Sequence, residues 1–202
     1  MNAETIVLAS GNLGKLREFQ TILAPYDVEL VPQSEFDVEA AEEIGLSFVE
    51  NALIKARHAC AVTGLPAIAD DSGIEVDALD GEPGIYSARY AGIGGPTADM
   101  ENNLKLLAEM EQIPESERTA RFQCVIVFMR HARDPMPLIC QGTWEGRILF
   151  AESGANGFGY DPLFYVPDYD CSSAELSPDI KNSLSHRGQA LRQLVNVWNS
   201  HR

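Results

Sequence analysis

An apolar run from Thr5 to Ala9 breaks into the loop Ser10, Gly11, Asn12, Leu13, Gly14, Lys15, and Leu16, Phe19 and Leu23 follow at helical spacing. A strand that hands over to a helix through so short a loop constrains the fold more than any other feature here. It presents the free N–H groups and partial positive dipole of a helix N-terminus to an anion, with Ser10 and Asn12 as polar contacts and Lys15 as a full charge. The loop is not a Walker A sequence, because Gly11 and Gly14 are only three apart and Leu16 follows Lys15. The plain alternative is that Ser10 or Asn12 caps the helix and Lys15 sits in water.

The remaining chain keeps mixing strands with helices. Asp27 to Val31 alternates as a half-buried strand, and the acidic stretch "DVEAAEEIG" crosses to a helix with Phe48, Ala52, Ala56, Ala59 and Cys60 on one face and Lys55 at its edge. "PAIAD" and "IEVDAL" read as two short strands around the turn "DSG". A long Gly- and Pro-rich loop, "DGEPGIYSARYAGIGGPT", is expected to be functional or an interface element, and Thr97 caps the helix carrying Leu104, Leu107 and Met110. "ARFQCVIVFM" and "PLICQGTWEGRILF" are strands, "ESGANGFGYDPLF" is a glycine-rich loop, and Ser177 and Pro178 open a closing helical stretch with the stripe Leu191, Leu194, Val195 and Trp198. The pattern is that of an α/β fold with a long mixed sheet flanked by helices.

Charge limits the partners. With 15 Lys plus Arg against 30 Asp plus Glu, a net charge of -15, a nucleic-acid or anionic-membrane footprint is disfavoured. A polyphosphate ligand must then be met by local lysines and a metal. No apolar run is long enough to span a bilayer and "MNAETIVLAS" lacks a secretory pattern, so a soluble, cytoplasmic protein is expected. Cys60, Cys124, Cys140 and Cys171 form no CxxC pair and are read as reduced thiols.

Asp70 and Asp71 in "AIADDSG" point to opposite faces if the backbone is extended, one toward a site and the other toward structure. Mg²⁺ takes oxygen ligands, and Glu42 or Glu43 could add a second carboxylate. In "GFGYDP" the glycines suit a loop that lays Phe158 against a planar ligand, and in "SHRG" Arg187 offers a rigid fork of donors. The alternatives are a loop aromatic tucked into the core and a helix start with a solvated cation.

Taken together, "SGNLGK", "EEIGLSFVENALIKA", "ADDSG", "PGIYSARYAG", "NGFGYDP" and "SHRGQA" resemble the inosine/xanthosine triphosphate pyrophosphatases, in that family's order and over the whole chain. Asn156 stands where a glycine is common. The resemblance implies a single domain, 1–202, of two lobes with the site in the cleft between them. It implies a Mg²⁺-dependent homodimer that hydrolyses dITP/ITP and XTP/dXTP to the monophosphate and pyrophosphate. By position it makes Asp71 the general base and a metal contact, Glu43 the second metal carboxylate, and Ser10 through Lys15 with Lys55 the triphosphate cradle. Ser72 would touch substrate, and Phe158, Gly159, Tyr160, Asp161, Lys181, His186 and Arg187 would serve the base pocket. A non-catalytic nucleotide sensor and a pyrophosphatase of modified pyrimidine nucleotides are the competing readings.

Overall fold

A computed structural model describes residues 4–26 and 28–200; Met1 to Ala3, Asp27, His201 and Arg202 lie outside the described residues. The chain runs β1 (Glu4–Leu8), α1 (Leu13–Leu23), β2 (Val28–Pro32), α2 (Phe48–Thr63), β3 (Ala67–Val76), α3 (Ala98–Glu109), β4 (Thr119–Met129), β5 (Leu138–Ile148), β6 (Phe164–Val166), β7 (Cys171–Ser172), α4 (Pro178–Leu184) and α5 (His186–Ser200). The strands form one mixed sheet in the order β2-β1-β3-β4-β5-β6-β7. β1 runs parallel to β2 and β3, whereas β6 is antiparallel to β5 and β7. The strand expected from Asp27 is thus β2, with Asp27 itself outside the description.

The chain divides into two compact units, each assembled from separate stretches: 1–71, 124–142 and 187–202 in the first, 72–123 and 143–186 in the second. In the first, β1 sends Ile6 and Leu8 into a core with Phe19, Leu23, Leu191 and Leu194, and Val7 and Ala9 into another with Ala52, Ala56 and Ala59. Helices therefore cover both faces, which is why β1 is apolar at successive positions. The second unit has one core, built around Phe122, Trp144, Phe164, Leu106 and Met110. Polar side chains alternate with these core positions along β4 and β5. Arg121 pairs with Asp77 and Glu145, and Thr143 donates to Gln123. β4 records the change: buried residues alternate up to Gln123 and are continuous from Cys124 onward.

Three expectations change on contact with the structure. β3 is one strand of 10 residues, not two strands around "DSG". Gly73 is small because a Cβ there would lie 2.4 Å from both Gly84 O and Ser87 Oγ, so the glycine marks a close approach and not a turn. The closing helical stretch is two helices, parted at Ser185, whose ψ of 156° is extended. Thr97 precedes α3 but makes no side-chain cap bond. All four cysteines are free thiols, and no helix among the described residues is long and apolar enough to cross a membrane.

Candidate active site

The opening loop is self-capped. Asn12 Oδ1 accepts from the amides of Gly14 at 2.8 Å and Lys15 at 3.0 Å, and Ser10 Oγ accepts from Asn12 N at 3.2 Å. Leu13, Gly14 and Lys15 consequently belong to the first turn of α1. Capping by Asn12 holds as the plain alternative had it, but the solvated lysine does not. Lys15 is tied to the buried carboxylate of Asp70. The loop thus combines an exposed helix start at Gly11 to Leu13 with a cation anchored just inside it.

Strand alternation separates the two aspartates. Asp70 is buried among cations: Oδ1 faces Lys15, while Oδ2 accepts from Arg187 Nε at 2.9 Å and from Cys124 Sγ at 3.0 Å. Burial by itself would raise its pKa, but Arg187 and then Lys15 outweigh that and hold the carboxyl well below its ordinary range. Arg187 also reaches Glu18 at 2.5 Å and is 2% exposed, so the plain alternative of a solvated cation fails and the fork of donors is spent on two carboxylates of the protein. These two carboxylates outweigh the effect of burial and keep its pKa raised.

Asp71 faces a different environment. Lys55 Nζ lies 2.6 Å from Asp71 Oδ1 and 2.9 Å from Glu43 Oε1, one ammonium between two carboxylates. Asp71 Oδ2 is buried and has no hydrogen-bond partner. Burial raises the Asp71 pKa above its ordinary value and the shared Lys55 only partly offsets it, whereas Lys55, also opposed by burial, is held charged by Asp71 and Glu43. The start of α2 delivers Glu43 to this place: Gly45 N donates to Asn51 Oδ1 at 2.8 Å, one helical turn before Lys55. A side chain at Gly45 would meet Glu50 and Asn51 at under 3 Å, so only glycine lets the segment dock there. Glu42 is exposed, which leaves Glu43 as the second carboxylate.

This donor set fits Mg²⁺. A hard cation needs one or two carboxylates beside water and phosphate oxygens, and the orphaned, burial-raised Asp71 Oδ2 is the atom a cation would satisfy. Among the described residues no group of three or more His, Cys, Asp or Glu could hold a metal by itself.

The second unit gathers Phe158, Gly159, Tyr160, Asp161, Lys181 and His186. Asp161 is fully used: Oδ1 accepts from Ser173 Oγ at 2.8 Å, and Oδ2 from Phe158 N at 2.8 Å and Lys181 Nζ at 2.6 Å. Tyr160 is packed into the core and its hydroxyl donates to Ser87 O at 2.8 Å. Both support the loop, and the half-buried ring left at its tip is Phe158, with Lys181 Nζ 4.8 Å from the ring centre. His186 lies stacked on Phe122. Ser72 is half-buried in β3. Gly157 is obligatory, with φ of 79° and a Cβ position only 2.0 Å from Asp161 Oδ2. Asn156 has no such demand on its backbone, and its Nδ2 donates to Leu176 O at 3.2 Å, so it fastens the loop.

Sequence reasoning missed Asp99 and Asn103, which grip Gly159 from α3: Gly159 N donates to Asp99 Oδ2 at 2.8 Å, and Asn103 Nδ2 donates to Gly159 O at 3.2 Å. Their spacing of four on an amphipathic helix was the available signal, and capping or solvation explained it equally well.

The Ham1 family model matches residues 6–197. A dITP/XTP pyrophosphatase of Vibrio parahaemolyticus is 61% identical over 189 residues, 94% of each chain. The solved structure of a HAM1 protein from Coxiella burnetii superposes with a TM-score of 0.89 at 51% identity, covering 98% of this chain and 99% of its own. A nucleoside-triphosphatase / dITP/XTP pyrophosphatase from Mycobacterium abscessus gives 0.73 at 41% identity, covering 94% and 98%.

Proposed function

The chain belongs to the Ham1 family, and from that premise we propose that it hydrolyses the non-canonical purine nucleoside triphosphates dITP/ITP and XTP/dXTP to the monophosphate and pyrophosphate, removing them from the nucleotide pool. The observation that carries the chemistry is the Asp71 carboxylate: buried, only half satisfied, and beside an ammonium it shares with Glu43. The substrate class rests on the relative named dITP/XTP pyrophosphatase that shares 61% of its residues.

In this reading Asp71 takes the proton from the water that attacks the α-phosphorus, a role that its raised pKa favours. Lys55 holds Asp71 and Glu43 together and meets developing charge. Lys15 and the exposed start of α1 receive the triphosphate tail, with Lys15 exchanging its hold on Asp70 for a phosphate oxygen. Asp71 and Glu43 would hold Mg²⁺, which supplies charge neutralisation for the phosphoryl oxygens. Phe158 offers its ring to the purine, with Gly159, Lys181 and His186 contributing to the base pocket and Ser72 to substrate contact, while Arg187, buried against Asp70 and Glu18, holds Asp70 in place. Tyr160 and Asp161 serve from behind as supports. The proposal includes a homodimer in the cytoplasm, to be checked by sedimentation velocity and cell fractionation.

The test is product identity. Incubation of ITP with the protein and Mg²⁺ is expected to give IMP and pyrophosphate on anion exchange, with loss of turnover in a chelator. IDP and orthophosphate would place the water at the γ-phosphorus and overturn the reading.

A further inference from the structure

The tip of the proposed purine pocket is a loop, and a loop discriminates between bases only as well as its backbone is fixed. Around Phe158 and Gly159 every backbone group with a bond to give is held by a side chain or by the turn itself. Phe158 N goes to Asp161, Phe158 O accepts from Asp161 N at 3.3 Å, Gly159 N goes to Asp99, and Gly159 O is held by Asn103. Asp161 lies in the loop's own turn. Asp99 and Asn103 come from α3, about one helical turn apart, and together take both polar groups of one peptide-flanked glycine. The arrangement has further backing, because Asn103 Nδ2 also donates to Glu152 Oε1 at 2.8 Å, which fixes the orientation of its amide. Gly159 itself has φ of 60° and open space where a Cβ would stand, so packing does not hold it. The two side chains from α3 do.

We propose that Asp99 and Asn103 are positioning residues for base selection: they clamp Gly159 so that the Phe158 ring and the adjacent backbone meet a purine in one fixed geometry. This rests on the functional reading above for the identity of the ligand, but not for the existence of the clamp. Neither residue touches a reacting atom, so the clamp acts on how the base is held and leaves the phosphate chemistry in the first unit alone. Asp99 is exposed, so its replacement does not threaten the core. Asn103 is buried and is better left for the second step.

The experiment compares Asp99→Ala, which removes the acceptor, with Asp99→Asn, which keeps one. In Asp99→Ala, KM for ITP is expected to rise and the ITP-to-ATP ratio of kcat/KM to fall, each by roughly three- to tenfold for one lost backbone contact, while kcat at saturation changes less than about twofold. Asp99→Asn should restore both, and adding Asn103→Ala to Asp99→Ala should widen the loss. Amide hydrogen exchange supplies an arm that needs no turnover: Gly159 should exchange faster in Asp99→Ala and regain protection in Asp99→Asn. Unchanged exchange at Gly159 would overturn the clamp. Faster exchange with an unchanged KM and ITP-to-ATP ratio would overturn its role in base selection, and so would an equal loss of kcat on every nucleotide. If the wild-type protein releases no pyrophosphate from ITP while the exchange pattern holds, the functional reading fails and the clamp stands.

Discussion

Lys55 and Lys181 each meet an aspartate at 2.6 Å, Asp71 in the first unit and Asp161 in the second, and the two pairs are built to opposite ends. Asp161 has every oxygen engaged, by a hydroxyl, an amide and the ammonium. Asp71 shares its ammonium with Glu43 and keeps one buried oxygen unsatisfied. The same ion pair is a fastener where the hydrogen-bonding capacity is filled, and in the proposed function it is a reactive centre where some is withheld. What separates them is the count of donors around the carboxylate, since both are buried.

The strongest test of that contrast exchanges each carboxylate for an amide. Asp71→Asn should lower kcat by roughly two to four orders of magnitude, the scale of a lost general base, with the thermal midpoint unchanged or raised because a buried charge has gone. Asp161→Asn should do the reverse. By leaving Lys181 without its counter-charge it should destabilise the fold by about 3 kcal/mol in denaturant titration, with nucleotide-independent loss of activity following from that. Comparable stability in the two variants would erase the distinction.

A pH profile sharpens it. Because burial raises the Asp71 pKa, NMR titration of the metal-free protein should show its carboxyl ionising above the ordinary 3.8, with that titration absent in Asp71→Asn. Asp70 behaves with the opposite sign. Its pKa is depressed, so the stability it contributes is fully present above 3.8 and is lost as the pH falls through its lowered value. Acid unfolding of the wild type should therefore be steeper than that of Asp70→Asn. The smallest expected effect is Asn156→Gly, which removes the bond to Leu176 O and should cost about 1 kcal/mol of stability with Asp71 chemistry unaltered.

Much of this was legible in the residues because periodicity and caps are local. The β1-loop-α1 unit, the buried face of α2 and the split between Asp70 and Asp71 all follow from side-chain directions that extended and helical backbones impose. What was not legible depends on residues distant in the chain. Glycine at 73 reads as a turn until Ser87 and Gly84 are seen against it, and Arg187 reads as a fork of donors for a ligand until Asp70 and Glu18 close around it. The same holds for the grip of Asp99 and Asn103 on Gly159, some sixty positions away in sequence for Asp99 and 56 for Asn103.

The discontinuous make-up of the two units has a consequence for synthesis. The first unit needs residues 187–202, which leave the ribosome after every residue of the second has been made. Until then Asp70 has Lys15 but not Arg187, and the core formed by Ile6, Leu8 and Phe19 lacks Leu191 and Leu194. The first unit is therefore the last to become whole, although its opening loop is translated first, and a vectorial product halted after His186 would carry a complete second unit and an incomplete first. Neither unit can be cut out as one continuous segment, and a single crossover between genes anywhere from residue 72 to residue 186 would divide both.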